Sequence, residues 1–189
     1  MKNQNLIFLI FTLIVFNSFG QKKELKAVEK ALKTNNFVSA KENIVAAEKY
    51  DLKDFDLKLK IKYHYLKGVS YYAEGESTLA DSYLALDNFK QVVLLEEDSS
   101  YKFYTDKVKP LKSAMLNGFV RKAKNALELK DYKTSYANLE SAFRVSSTDT
   151  LYLYNAALLA TETKDFDIAM NFYRELESIG FTGVTTNYY

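Results

Sequence analysis

The chain of 189 residues contains no cysteine, no tryptophan, one histidine, one proline and six glycines. Each shortage excludes something. Without Cys there are no disulfides, thiolate metal sites, cysteine nucleophiles or lipid-modified N-terminal Cys. A single His rules out a multi-histidine metal site and leaves His64 as the sole imidazole base. With 26 Lys+Arg against 24 Asp+Glu, the net charge of +2 gives no electrostatic footprint for nucleic acid. Few Gly and Pro argue against a turn-rich β fold and favour long helices.

The first segment that is present has the form of an export signal. Lys2 is the only charge in residues 1–20, and Leu6–Phe16 is a mostly apolar run of eleven residues. Ser18 and Gly20 then place small side chains at the −3 and −1 positions before Gln21. This tripartite order is that of a secretory signal peptide over 1–20. The run falls short of the roughly 20 residues that a membrane-spanning helix needs. The expected mature chain starts at Gln21, is exported to the periplasm or secreted, and has no stable membrane span.

The remainder repeats itself. Lys130-Asp131-Tyr132 recurs as Lys164-Asp165-Phe166, a spacing of 34. At the same spacing Phe119 recurs as Leu153, Ala123 as Ala157, Ala126 as Ala160 and Leu139 as Tyr173. A fixed period of this size marks stacked supersecondary units, each unable to bury its apolar face alone. Asn36, Asp131 and Asp165 each precede an aromatic residue. Asn and Asp are good helix N-caps, because a side-chain oxygen accepts from an orphaned backbone N–H. Gly75 and Gly180 each follow a helical pattern, where glycine can close a helix in the left-handed conformation.

On these residues the chain resembles the tetratricopeptide-repeat (TPR) family, and in particular exported TPR proteins of Gram-negative bacteria. Ala157 and Ala169 match the two small positions where the paired helices of that motif cross. Lys164-Asp165-Phe166 stands where the family usually has Gly-Asp-Tyr. In the preceding repeat Ser135 replaces the second small Ala, and near the N-terminus Asn35-Asn36-Phe37 takes the turn. The resemblance implies an all-α fold, a TPR-type α-solenoid of antiparallel helix pairs. Its helical repeat domain covers 21–183, with about four repeats near 21–54, 58–97, 116–149 and 150–183. Gly68 takes a small position in the second repeat, whose turn must be longer. A helical extension over 98–115 is expected to kink or break at Pro110. Residues 184–189 form a tail, and the expectation is either that the chain is the N-terminal part of a longer protein or that its last helix docks on a partner.

The chemistry that would mark an enzyme is missing from these patterns. His64 has no Ser or acid partner at helical spacing and reads as a packed ring. Glu96-Glu97-Asp98 lacks the alternating ligands and central Gly of a calcium loop, and reads as a solvated helix end. The expectation is therefore no catalytic residue, no metal and no cofactor. What the TPR resemblance implies instead is a concave face lined by the first helix of each pair. Carried onto this sequence, that face offers Tyr65, Tyr72, Asn117, Val120, Arg121, Lys124, Tyr154, Asn155 and Leu158. Tyr71 is expected in the core and Tyr72 in the groove. Tyr and Arg tend to carry binding energy at interfaces. The implied function is a non-enzymatic scaffold for a protein or peptide. The alternative is a structural assembly module, or the N-terminal part of a larger envelope protein, docking through an uncapped last helix.

Overall fold

The computed structural model describes residue 20, residues 22–97 and residues 102–183. The expected signal peptide, Gly20 apart, and the tail 184–189 lie outside the described residues. Among those described there are eight α-helices and no strand. They are α1 (22–32), α2 (Phe37–Ala47), α3 (Leu57–Tyr72), α4 (Leu79–Glu97), α5 (Phe103–Glu128), α6 (Tyr132–Val145), α7 (Thr150–Glu162) and α8 (Phe166–Ser178). The chain divides into two compact units, one ending at Pro110 and one starting at Leu111.

In the first unit, Leu25, Val28 and Ala31 of α1 meet Ala40, Ile44 and Ala47 of α2, with Phe55, Leu59, Tyr63 and Leu66 closing the same core. The spacing of three and four residues in each set puts it on one helical face. Further along, Gly68 on α3 lies against the fully buried ring of Phe89 on α4. A Cβ placed on Gly68 would fall 2.4 Å from Phe89 Cε1, so only glycine allows this approach without displacing the ring. Side chains tie the layers further. Lys41 on α2 pairs with Asp81 on α4 at 2.7 Å, and Glu48, the residue that closes α2, accepts from both the Tyr63 hydroxyl and Lys67 on α3.

In the second unit the 34-residue recurrence of the sequence reappears as a recurrence of burial. Phe119 and Leu153, Ala123 and Ala157, Ala126 and Ala160, and Ser135 and Ala169 are all buried. Ser135 keeps its hydroxyl in the core because it donates to the Ala123 carbonyl at 2.9 Å. Tyr136 and Phe143 of α6 pack with Leu153, Ala156, Ala157 and Ala160 of α7 and with Phe172 and Leu176 of α8. The architecture is an all-α, helical repeat-like one.

One turn is used four times, once after α8 with Gly180 at φ 78° and the Phe181 amide reaching Leu176 at 3.0 Å, and three times without glycine. At the ends of α1, α5 and α7, residues Asn35, Lys130 and Lys164 adopt φ of 52°, 60° and 63°. The next amide in each turn reaches back five residues: Asn36 to Ala31, Asp131 to Ala126 and Asp165 to Ala160, at 3.0, 2.8 and 2.9 Å. This is the Schellman arrangement, whose left-handed position favours glycine. Lysine there carries a steric cost of about 1–2 kcal/mol, against glycine's extra backbone entropy of about 0.5–1 kcal/mol. Lys130→Gly and Lys164→Gly should therefore each stabilise by about 0.5–1 kcal/mol in urea unfolding. Asn35→Gly should change little, since Asn tolerates the conformation.

The structure corrects four sequence expectations. Pro110 does not break the chain's helical path: α5 runs through it from Phe103 to Glu128. Asn36 and Asp131 cap α2 and α6 by accepting from Ser39 and Thr134 amides, but Asp165 makes no such bond to α8. Its carboxylate instead accepts from Thr163 Oγ1 at 2.9 Å, Lys133 Nζ at 3.2 Å and Tyr136 OH at 3.3 Å. Those hydrogen bonds and the Lys133 charge hold Asp165 below the usual carboxylate range. Glu96 is fully buried rather than solvated, and accepts from the Tyr104 and Thr105 amides at 3.1 and 2.7 Å. The first turn of α5 supplies unpaired N–H groups and the positive end of a helix dipole, which compensate the buried charge. The fourth concerns Tyr72, which is buried rather than open to a groove.

Candidate functional site

In the second unit, α5, α6 and α7 enclose an apolar hollow of about 420 Å³. Val120, Ala123, Lys124 and Leu127 line it from α5, at the i, i+3, i+4, i+7 spacing of one helical face. Ser135 and Leu139 come from α6, and Asn155, Leu158 and Leu159 from α7. Leu127 and Leu158 are each a little over two-fifths exposed. Apolar side chains left open around a concavity, with a few polar groups converging on it, are the usual make-up of a binding site. Besides Ser135, whose hydroxyl is taken up by the Ala123 carbonyl, the polar groups here are Lys124 and Asn155, both exposed. Lys124 has no ion pair among the described residues, so its ammonium is available to an anionic group.

Of the nine residues picked out from sequence, Val120 lines the hollow, and the other eight fall into three groups. Lys124, Asn155 and Leu158 meet at the hollow. Asn117 and Arg121 are exposed on α5 and share a helical stripe with Lys124, without lining the hollow themselves. The three tyrosines are taken up by packing. Tyr65 stacks on Tyr104, ring centroids 4.9 Å apart, and Tyr154 on Phe181 at 5.4 Å. Tyr72 is only 8% exposed and does not face a groove, whereas Tyr71 is partly buried at the edge of the first core. The reason is local: α3 ends at Tyr72, the chain turns left-handed at Ala73, Glu74 and Gly75, and Gly75 closes over the Tyr72 hydroxyl. Large rings bury more apolar surface than other side chains, so packing claims them first. Leu127 and Leu159 were missed from sequence, although Leu127 continues the Val120–Lys124 stripe.

Other sites in the molecule are occupied by their own neighbours. A second hollow, of about 270 Å³ in the first unit, is lined by Lys22, Asp56, Lys58, Leu59, Lys62, Glu96 and Tyr104 among others. Three of its charged groups are engaged: Lys62 with Glu29 at 2.9 Å, Asp56 with the Leu59 amide, and Glu96 with the start of α5. His64 Nδ1 lies 2.9 Å from Asn88 Oδ1, and burial holds its pKa below the ordinary histidine value. Arg144 on α6 forms a forked pair with Glu175 on α8 and also reaches Glu140; these carboxylates keep it charged more firmly than usual. No group of three or more His, Cys, Asp or Glu suited to a metal occurs among the described residues, and none of their helices is long and apolar enough to cross a membrane. No protein-family profile, curated protein or solved structure matches the chain.

Proposed function

We propose that the chain is a TPR-type interaction scaffold, exported to the periplasm or secreted, whose second unit holds a peptide or protein segment between α5 and α7. The observation that carries this reading is the meeting of Lys124, Asn155 and Leu158 at one apolar hollow with Val120, Leu127 and Leu159. The hollow would take an aliphatic or aromatic anchor, Lys124 a carboxylate beside it, and the Asn155 amide the ligand's backbone. The recurrence of the left-handed turn and of burial at a spacing of 34 supports the helix-pair reading.

The test is a peptide array probed with the purified chain, followed by fluorescence anisotropy on the strongest ligand. Leu158→Glu should weaken binding at least about tenfold, because it puts a charge into the apolar pocket. Lys124→Glu should weaken acidic ligands selectively and remove the salt dependence of their binding. Circular dichroism should be unchanged in both. Equal affinity of both variants and parent would overturn the reading. A second reading, as an assembly module, is favoured by the large apolar side chains left exposed on α8.

A further inference from the structure

The last described helix carries two apolar stripes. Ala169, Phe172 and Leu176 point inward and are buried. Phe166, Met170 and Tyr173, four and three residues apart, form the other, at 61%, 52% and 37% exposure. An exposed helix face is ordinarily polar. The same positions one repeat earlier show what such a stripe is for. Tyr136 on α6, equivalent to Met170, is 7% exposed, and Leu139, equivalent to Tyr173, is partly buried. Both belong to the core shared with α7 and α8. On α6 this stripe is covered by another helix; on α8 the described residues leave it open.

The charges beside the stripe select the cover. Asp167 and Arg174 are exposed and seven residues apart, so they lie on the same flank. Neither has an ion pair among the described residues. Opposite charges seven residues apart on one flank make a helix complementary to an antiparallel copy of itself. A two-fold axis beside Met170 brings Asp167 of each copy to Arg174 of the other, and Phe166 of each toward Tyr173 of the other. A parallel two-fold pairing would put the two charged flanks on opposite sides of the seam, so that neither Asp167 nor Arg174 would meet the other. We propose that α8 is a self-association surface on which two copies of this chain pair antiparallel through Phe166, Met170 and Tyr173, flanked by two Asp167–Arg174 ion pairs. This deepens the assembly reading and does not depend on the groove. One helix of 13 residues buries less than the roughly 800 Å² per partner of a standard interface. The pairing is accordingly weak and concentration-dependent.

The absence of native Cys makes disulfide trapping a direct test. The full chain carrying Met170→Cys, mildly oxidised across a concentration series, should give several-fold more disulfide-linked dimer than one carrying Glu128→Cys, an exposed control on α5. Adding Asp167→Arg or Arg174→Asp should cut the yield several-fold, and the double exchange should restore it. Lys124→Glu should leave trapping unchanged, which separates this proposal from the groove. Yields no higher than the control, or no recovery in the double exchange, would overturn it. So would an introduced thiol that stays unreactive to maleimide in a monomer, because a segment of the same chain would then cover the stripe.

Discussion

Phe89→Ala is expected to remove about 3–5 kcal/mol of stability, the range for deleting a buried aromatic side chain. The ring is fully buried between α3 and α4, and its edge rests on the backbone of Gly68. The coupled expectation is more diagnostic. In the parent, Gly68→Ala gains about 1 kcal/mol of helix propensity. It also forces a methyl to within 2.4 Å of a ring that has nowhere to go, and overpacking of this kind costs about 1–3 kcal/mol. The net effect in the parent is a loss. With Phe89→Ala in place the obstacle is gone, so Gly68→Ala should become stabilising. A reversal of sign in a double-mutant cycle, measured by urea unfolding, tests the contact itself. Equal effects of Gly68→Ala in both backgrounds would show that the ring does not set the requirement for glycine.

Glu96→Ala is expected to cost about 2–4 kcal/mol, since it strands two N–H groups at the start of α5 at about 1–3 kcal/mol for each buried orphan. The Tyr104 amide is half-buried and the Thr105 amide buried, which keeps the total below the full sum. Glu96→Gln should retain part of the stability, because its carbonyl oxygen still accepts one bond while the charge favoured by the helix dipole is lost. Amide hydrogen exchange gives the local readout: Tyr104 and Thr105 should exchange faster in the alanine variant. A loss of no more than about 0.5 kcal/mol, the size of an ordinary surface substitution, with unchanged exchange, would remove Glu96 from the capping role.

Much of the helix layout could be read from residue types alone. Asn36 and Asp131 cap helices because their side chains are short enough to reach an amide three residues on, and the sequence displays them directly. The small residues at Ala123, Ala126, Ala157 and Ala160 declare buried crossings by their spacing of 34. Asp165 looks the same as Asp131 in sequence but has Thr163, Lys133 and Tyr136 within reach, and these outcompete the amide. Glu96 was hidden for a similar reason. Its partners lie eight and nine residues downstream in another helix, and no local pattern announces a cap of that kind. The candidate site divided along the same line. Lys124, Asn155 and Leu158 are concave-face positions that the TPR resemblance implies, and they line the hollow. The fate of Tyr65, Tyr72 and Tyr154 depended on the shape of the neighbouring turn or ring, which composition does not encode.

The ties between helices also bear on how each unit reaches its folded state. Lys41–Asp81, Arg144–Glu175 and Lys133–Asp165 join residues only 40, 31 and 32 positions apart. Each core is likewise assembled from successive helices. Short loops cost little entropy to close, and folding dominated by local contacts falls in the microsecond-to-millisecond range. The α1–α3 core can therefore condense as soon as Leu66 is free, while the residues of α7 and α8 are still being delivered by synthesis at about 5–20 residues per second.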